Sequence, residues 1–425
     1  MKRFLLTILV LAGAAPLWGQ ITWTQCQAAA RENYPLIRQY RLVEQSADYS
    51  VANASKAWLP QVSLSAQAGY QSDVATFPDG MTAALRQMGV DMKGLNRDQY
   101  RLALEVSQTL WDGGQRRTQQ ELARADGERA LQNLEVEMYA LRERVNNLYF
   151  GILILHEQLT QHTLLQELLQ SNLHTVEACI DNGVATASDR QTVQVELLTA
   201  AQQRVQIESA ATAYRMMLAV MTGIPAAKTD TLETPPVQSV PPAGNRPELN
   251  LFEAQRQQFE TQKRAVRSSV MPRLGLFAQG FYGNPGFNLF KDMTENRWTW
   301  NYMAGIRFQW NFGSLYTQRG HLQQLSIAQK QVDGRRETFL FNQNLKMIQQ
   351  QEAIDRMNRI MADDAEIISL RTAIRRTSET RFAHGTLTVG DLLHDIHAES
   401  QARQARMLHE IEWIKHIYEL LDTVN

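Results

Sequence analysis

Cysteine is nearly absent: Cys26 and Cys179 are the only two in 425 residues. No multi-disulfide framework can hold the fold. The two thiols read as isolated, buried small residues, although spacing alone does not exclude a pair. Neither follows directly on a leader segment, so a lipid anchor on Cys26 is not expected. Beyond the first residues no apolar run approaches the roughly 20 residues that a membrane-spanning helix needs, which leaves a closed β-barrel as the only route through a bilayer. Charge of one sign is also missing. The formal net charge of −1 argues against a nucleic-acid partner. No nucleophile–base pair, phosphate-binding loop or pair of catalytic carboxylates stands out, so neither an enzyme nor a cofactor is expected. Asp391, His394, Asp395 and His397 resemble a metal cluster in composition. On one helix, however, i and i+3 share a face while i and i+6 do not, and no metal site is expected there.

Proline is scarce where it matters. The twelve prolines leave residues 79–224 and 286–425 free of it, and in those spans long helices can run unbroken. What is present begins with an export signal over residues 1–19: Lys2 and Arg3, an apolar stretch from Phe4 to Leu17, then Trp18-Gly19 before Gln20. A first very long helix is expected over 115–182, about 100 Å at ~1.5 Å per residue. Within it Leu131, Leu134, Met138, Leu141, Val145, Leu148, Ile152, Leu155 and Leu159 step by three and four, a heptad seam that needs a partner helix. A second long helix is expected over 314–384. Gly127, Gly151, Gly320 and Gly334 interrupt the two and hint at close helix approach.

The sequence carries an internal repeat. Pro35 and Pro60 recur as Pro247 and Pro272, Trp111-Asp112-Gly113-Gly114 as Trp310-Asn311-Phe312-Gly313, and Gly183 with Asp189 as Gly385 with Asp391. The same landmarks in the same order define two units, 20–222 and 247–425, joined by a proline-rich linker over 223–246. Each reads helix, strand, long loop, strand, very long helix, tight turn, helix. Trp23 to Leu59 is expected as one helix. Strands are expected at 61–72 and 99–111, then 273–283 and 298–311, from period-two alternation of apolar and polar residues. The fold class is therefore mainly α with a β part.

Strands of this length match the ~9–11 residues that a tilted strand needs to cross a bilayer. Trp111, Trp298, Trp300 and Trp310 gather at strand ends, where an aromatic girdle would lie. Four strands are too few to close a barrel, but three copies would supply twelve and leave no edge in lipid. The shorter helices, laid end to end, nearly match the long ones, as in a wall wetted on both sides. A rival expectation is a periplasmic or surface coiled-coil scaffold whose sheet is soluble.

The chain resembles the TolC-type outer membrane efflux protein family. The residues that carry the likeness are Asn33-Tyr34-Pro35, Trp58-Leu59-Pro60, Leu110-Trp111-Asp112-Gly113-Gly114, and the two turns from Asn182 to Asp189 and from His384 to Asp391. The resemblance implies a homotrimer with a twelve-stranded barrel in outer membrane lipid and a helical tunnel in the periplasm. It implies partners too, a periplasmic adaptor and an inner-membrane transporter, for which the chain is a passive exit duct in efflux or type I secretion. By the same resemblance Gly183, Val184, Ser188, Gly385, Thr386 and Leu387 form the adaptor-docking tip. Asp189, Phe382, Asp391 and His394 form the aperture gate. The family's Tyr, Arg and second Asp are replaced here by Phe382, Leu387 and His394, so a salt-bridge latch of the family's kind is not implied.

Overall fold

The computed structural model describes residues 21–228, 232–239, 241 and 246–425. The leader expected over 1–19 and parts of the expected linker lie outside the described residues. Two compact units emerge. One gathers the described residues within 21–39, 134–249 and 337–425, and the other residues 40–133 and 250–336.

The elements follow the duplicated order. The first repeat holds α1 (Trp23–Asn33), α2 (Ile37–Lys56), β1 (Gln61–Tyr70), α3 (Asp79–Gln87), β2 (Asp98–Trp111), α4 (Gln115–Asp181) and α5 (Ala187–Thr222). The second holds α6 (Pro247–Ser269), β3 (Arg273–Asn284), α7 (Leu289–Glu295), β4 (Thr299–Gln309), α8 (Gly313–Ala383) and α9 (Val389–Val424). The single helix expected from Trp23 to Leu59 is two. Pro35 lacks the amide hydrogen that would continue the ladder, and Tyr34 before it turns extended at ψ 130°. Each strand connection carries a short helix, α3 or α7, where a plain loop was expected.

The smaller unit is built on one antiparallel sheet in the order β1-β2-β3-β4. Its register aligns Leu64 with Leu104 and Ala66 with Leu102, Leu102 with Tyr282, and Leu276 with Ile306 and Tyr282 with Trp300. Alternation then gathers every one of these side chains on one face. Gly127 of α4 belongs to this unit, and a β-carbon there would lie 2.5 Å from that of Ala47, so glycine lets α2 and α4 touch.

The larger unit is helical and keeps its apolar residues inside. From Leu134 to Ile152 the α4 seam is fully buried. Trp23 meets Tyr418 edge-on at 4.7 Å. The Tyr149 hydroxyl donates to the carbonyls of Ile21 (3.0 Å) and Glu233 (2.5 Å), tying the start of α1 to the inter-repeat segment. Cys26 and Cys179 are both buried free thiols, and burial pushes the Cys26 thiol up to about 12. Gly151 allows the Tyr214 ring to lie against α4, 2.5 Å from where a β-carbon would stand. A β-carbon on Gly320 or Gly334 of α8 would meet nothing within 4 Å, so within one chain the close approach is at the α4 glycines.

Candidate functional site

Two surfaces carry chemistry that a packed fold does not need, one in each unit. The first is the apolar face of the sheet. Val62, Leu64, Leu102, Leu104, Ile306 and Phe308 all lie open, and Tyr302 is 88% exposed. The opposite face is polar and internally paired. Arg101 donates to Gln279 at 3.0 Å, Arg307 stands 3.5 Å from Glu105, and their guanidinium groups lie over Phe281 and Phe277. A sheet in water shows the reverse. Aromatic residues cluster at both ends: Tyr282 contacts Trp298 and Trp300 at 5.2 and 5.1 Å, and Tyr100 stacks on Trp298. At the other end lie Trp111 and Trp310, the latter 4.5 Å from Phe312. β4 spans about 36 Å at ~3.3 Å per residue, or roughly 27 Å when tilted by ~40°, close to the apolar band of a membrane barrel. β1 and β4 each keep one edge without a strand partner among the described residues.

The second surface is the pair of turns in the helical unit. α4 ends at Gly183, whose φ of +73° is the left-handed conformation that glycine adopts freely. The Val184 amide then donates back to the Cys179 carbonyl at 2.8 Å, closing a Schellman-type cap. α5 starts on Thr186. The hydroxyl of Thr186 accepts from the Asp189 amide, and the Asp189 carboxylate accepts from the Thr186 amide at 2.8 Å, a capping box. Ser188 lies exposed within the first turn. The second turn repeats the design. Gly385 has φ +71°, the Thr386 amide donates to the Arg381 carbonyl at 2.9 Å, and Thr388 caps α9 through the Asp391 amide at 3.1 Å. Both Asp189 and Asp391 thus hold helix starts.

The two turns come together. Val184 lies 2.9 Å from where a β-carbon on Gly385 would sit, and one core joins Leu169, Val176 and Val193 of the first hairpin to Leu392, Leu393 and Ile396 of the second. Phe382, expected at the aperture gate, is 4% exposed and belongs to this core. It occupies an inward position of α8, so any effect on an aperture passes through packing. Leu387 packs partly buried against the same cluster. Val184 and His394 remain exposed.

The sequence reading missed the polar seam behind the turns. Glu399 is only 3% exposed. It accepts from Arg403 at 2.7 Å, from Thr372 at 2.8 Å and from Arg375, and Arg375 also pairs with Glu379. Burial works against its charge, yet these donors and the Arg375 cation hold the carboxyl below its usual range. Burial likewise disfavours the Arg375 cation, but its carboxylate partners raise its pKa further. A signal existed: Glu399 follows Leu392 and Ile396 at heptad spacing, so a charge falls on the seam itself. Between the two hairpins, His397 meets Glu196 at 3.0 Å. Among the described residues no cluster of His, Cys, Asp or Glu could hold a metal ion, and no helix is long and apolar enough to cross a membrane.

Comparisons with known proteins bear on both surfaces. Residues 28–223 match the family model described as outer membrane efflux protein. No curated protein sequence matches the chain. Among solved structures, the outer membrane protein VceC of Vibrio cholerae is 13% identical with a TM-score of 0.67, covering 94% of this chain and 96% of that one. The Campylobacter jejuni outer membrane channel CmeC gives 12%, 0.65, 95% and 85%. The open state of the Neisseria gonorrhoeae outer membrane channel MtrE gives 16%, 0.65, 95% and 88%. At these identities the likeness speaks for the fold.

Proposed function

Residues 28–223 match the outer membrane efflux protein family, and we propose that this chain is an outer membrane exit duct, passively conducting substrates to the exterior. They would reach it from a periplasmic adaptor and an inner-membrane pump in efflux or type I secretion. The observation that carries this reading is the inverted sheet, with its apolar face open and its polar face internally paired. In lipid such a face is satisfied and in water it is not. The soluble scaffold reading is disfavoured for the same reason, since it requires that face to be covered.

Three copies close the barrel, β4 of one copy pairing with β1 of the next, because unpaired backbone edges cost several kcal/mol per group in hydrocarbon. Trp111, Trp298, Trp300 and Trp310 form its girdles. The helices extend into the periplasm, and Gly183, Val184, Ser188, Gly385, Thr386 and Leu387 present the adaptor-docking surface. Asp189, Asp391 and His394 surround the aperture, with Phe382 supporting it from the core. Nothing in this reading calls for a catalytic step or a bound cofactor.

Planar-bilayer recording of the detergent-purified chain tests the proposal. Discrete conductance that rises when the paired turns are loosened supports a duct. Protein that stays in the aqueous phase and never conducts contradicts it.

A further inference from the structure

The helical unit holds a groove of about 510 Å³ away from the paired turns, lined by Tyr139, Arg142, Glu143, Lys346, Gln350 and Asp422 among others. Its floor is buried. Asp422 lies there in the last turn of α9, where aligned peptide dipoles place partial negative charge and disfavour a carboxylate. One oxygen of Asp422 accepts from the Asn146 amide. The other lies 3.0 Å from Arg142 yet makes no aligned hydrogen bond. Gln350, also buried, has a carbonyl oxygen with no partner. Neither this groove nor Asp422 figures in the duct reading.

We propose that this groove is a proton-sensing site, in which Asp422 gives up its ion pair with Arg142 to bind a proton and so frees the guanidinium into the groove. Only the carboxyl O–H bond forms, and the proton is taken up from bulk solvent as pH falls. Three observations converge. Burial pushes the Asp422 carboxyl up to about 6, with Arg142, Arg246 and Lys346 pulling against the rise and Glu143 adding to it. The other groups facing the site are committed elsewhere: Glu248 to Arg246, and Glu419 to His416 and Lys415, which hold it below its usual value against the cost of burial. Finally, the α9 backbone is held by contacts indifferent to the proton. The Asp422 carbonyl accepts from Arg246 and Tyr139, each at 2.6 Å, and the Thr423 carbonyl accepts from Gln343 at 2.6 Å. The side-chain tie can therefore switch while the turn stays in place.

The sign of the linkage agrees. The folded value of about 6 lies above the ordinary 3.8, so the folded chain binds this proton more readily than the unfolded one. With respect to Asp422, stability rises as pH falls from 6 towards 3.8. Acid releases the clasp without unfolding the protein, and the groove becomes more positive.

Infrared titration of the full chain in detergent, from pH 4.5 to 8, tests the switch through the carboxyl C=O stretch. The wild type is expected to gain a protonated-carboxyl band with a midpoint near pH 6, absent in Asp422→Asn. Arg142→Gln, which removes the opposing charge, moves the midpoint up by about one pH unit, and His416→Gln leaves it in place. A band that persists unchanged in Asp422→Asn, or a wild type with no such band above pH 5, overturns the proposal. Should Asp422→Asn fail to fold, a midpoint indifferent to Arg142→Gln overturns it equally.

Discussion

The two units obey opposite rules. In the sheet unit the apolar side chains face out and the charges pair across the other face, as with Arg307 and Glu105. In the helical unit the apolar seams of α4 and α9 are inside and the charged residues mostly outside. One sequence applies both rules within a few tens of residues, and the proposed duct accounts for the difference by the medium each surface meets. Hydrophobic burial drives packing only where the alternative is water. Where the alternative is lipid, the same residues stay on the surface and the backbone must find its partners within the sheet.

The largest expected effect challenges this contrast from the helical side, where Glu399 breaks the local rule. Glu399→Ala leaves the Arg375 guanidinium buried without its main partner and is expected to cost about 3–5 kcal/mol. Thermal unfolding measures it, and a loss below ~1 kcal/mol would make the network dispensable. The same carboxyl predicts a pH effect. Its folded pKa lies below the ordinary 4.5, so its contribution is present above that value and lost as pH falls through the depressed one. The gap between the wild type and Glu399→Gln should therefore narrow in acid.

From the sheet side, Ile306→Arg places a charge amid the apolar face and is expected to cost about 2–4 kcal/mol in lipid. Gln67→Arg on the polar face should cost little. The fraction of protein recovered folded in the membrane separates the two, and equal recovery would remove the basis for calling the faces different. The smallest effect concerns the turns alone. Thr186→Ala removes the α5 cap at about 1 kcal/mol, visible as faster amide exchange in the first turn of α5 and not elsewhere.

Much of this was legible in the sequence because the signals are local. Alternation from Val62 to Tyr70 and from Trp298 to Trp310 marks strands, the steps from Leu134 to Ile152 mark a buried seam, and the glycine-to-aspartate spacing marks both turns. The misses have physical causes. Pro35 was visible, but helix-forming residues on either side argued for one helix, and the missing amide hydrogen decided otherwise. Thr186 is the α5 cap because it stands three residues before Asp189, within reciprocal reach. The packing of Phe382 in the core beside the turns depends on residues of the neighbouring hairpin that no local pattern shows. The condition of Asp422 depends on Arg142 and Asn146, far away in the chain, and no local pattern announces it.

A duct requires an apolar sheet face that meets lipid and strand edges completed by other copies of the chain. Measuring the mass of the detergent-solubilised particle by light scattering, alongside its partition between membrane and aqueous fractions, tests this most directly. Three chains per particle, extracted only by detergent, are predicted. A single chain that remains dispersed in water without detergent would contradict it.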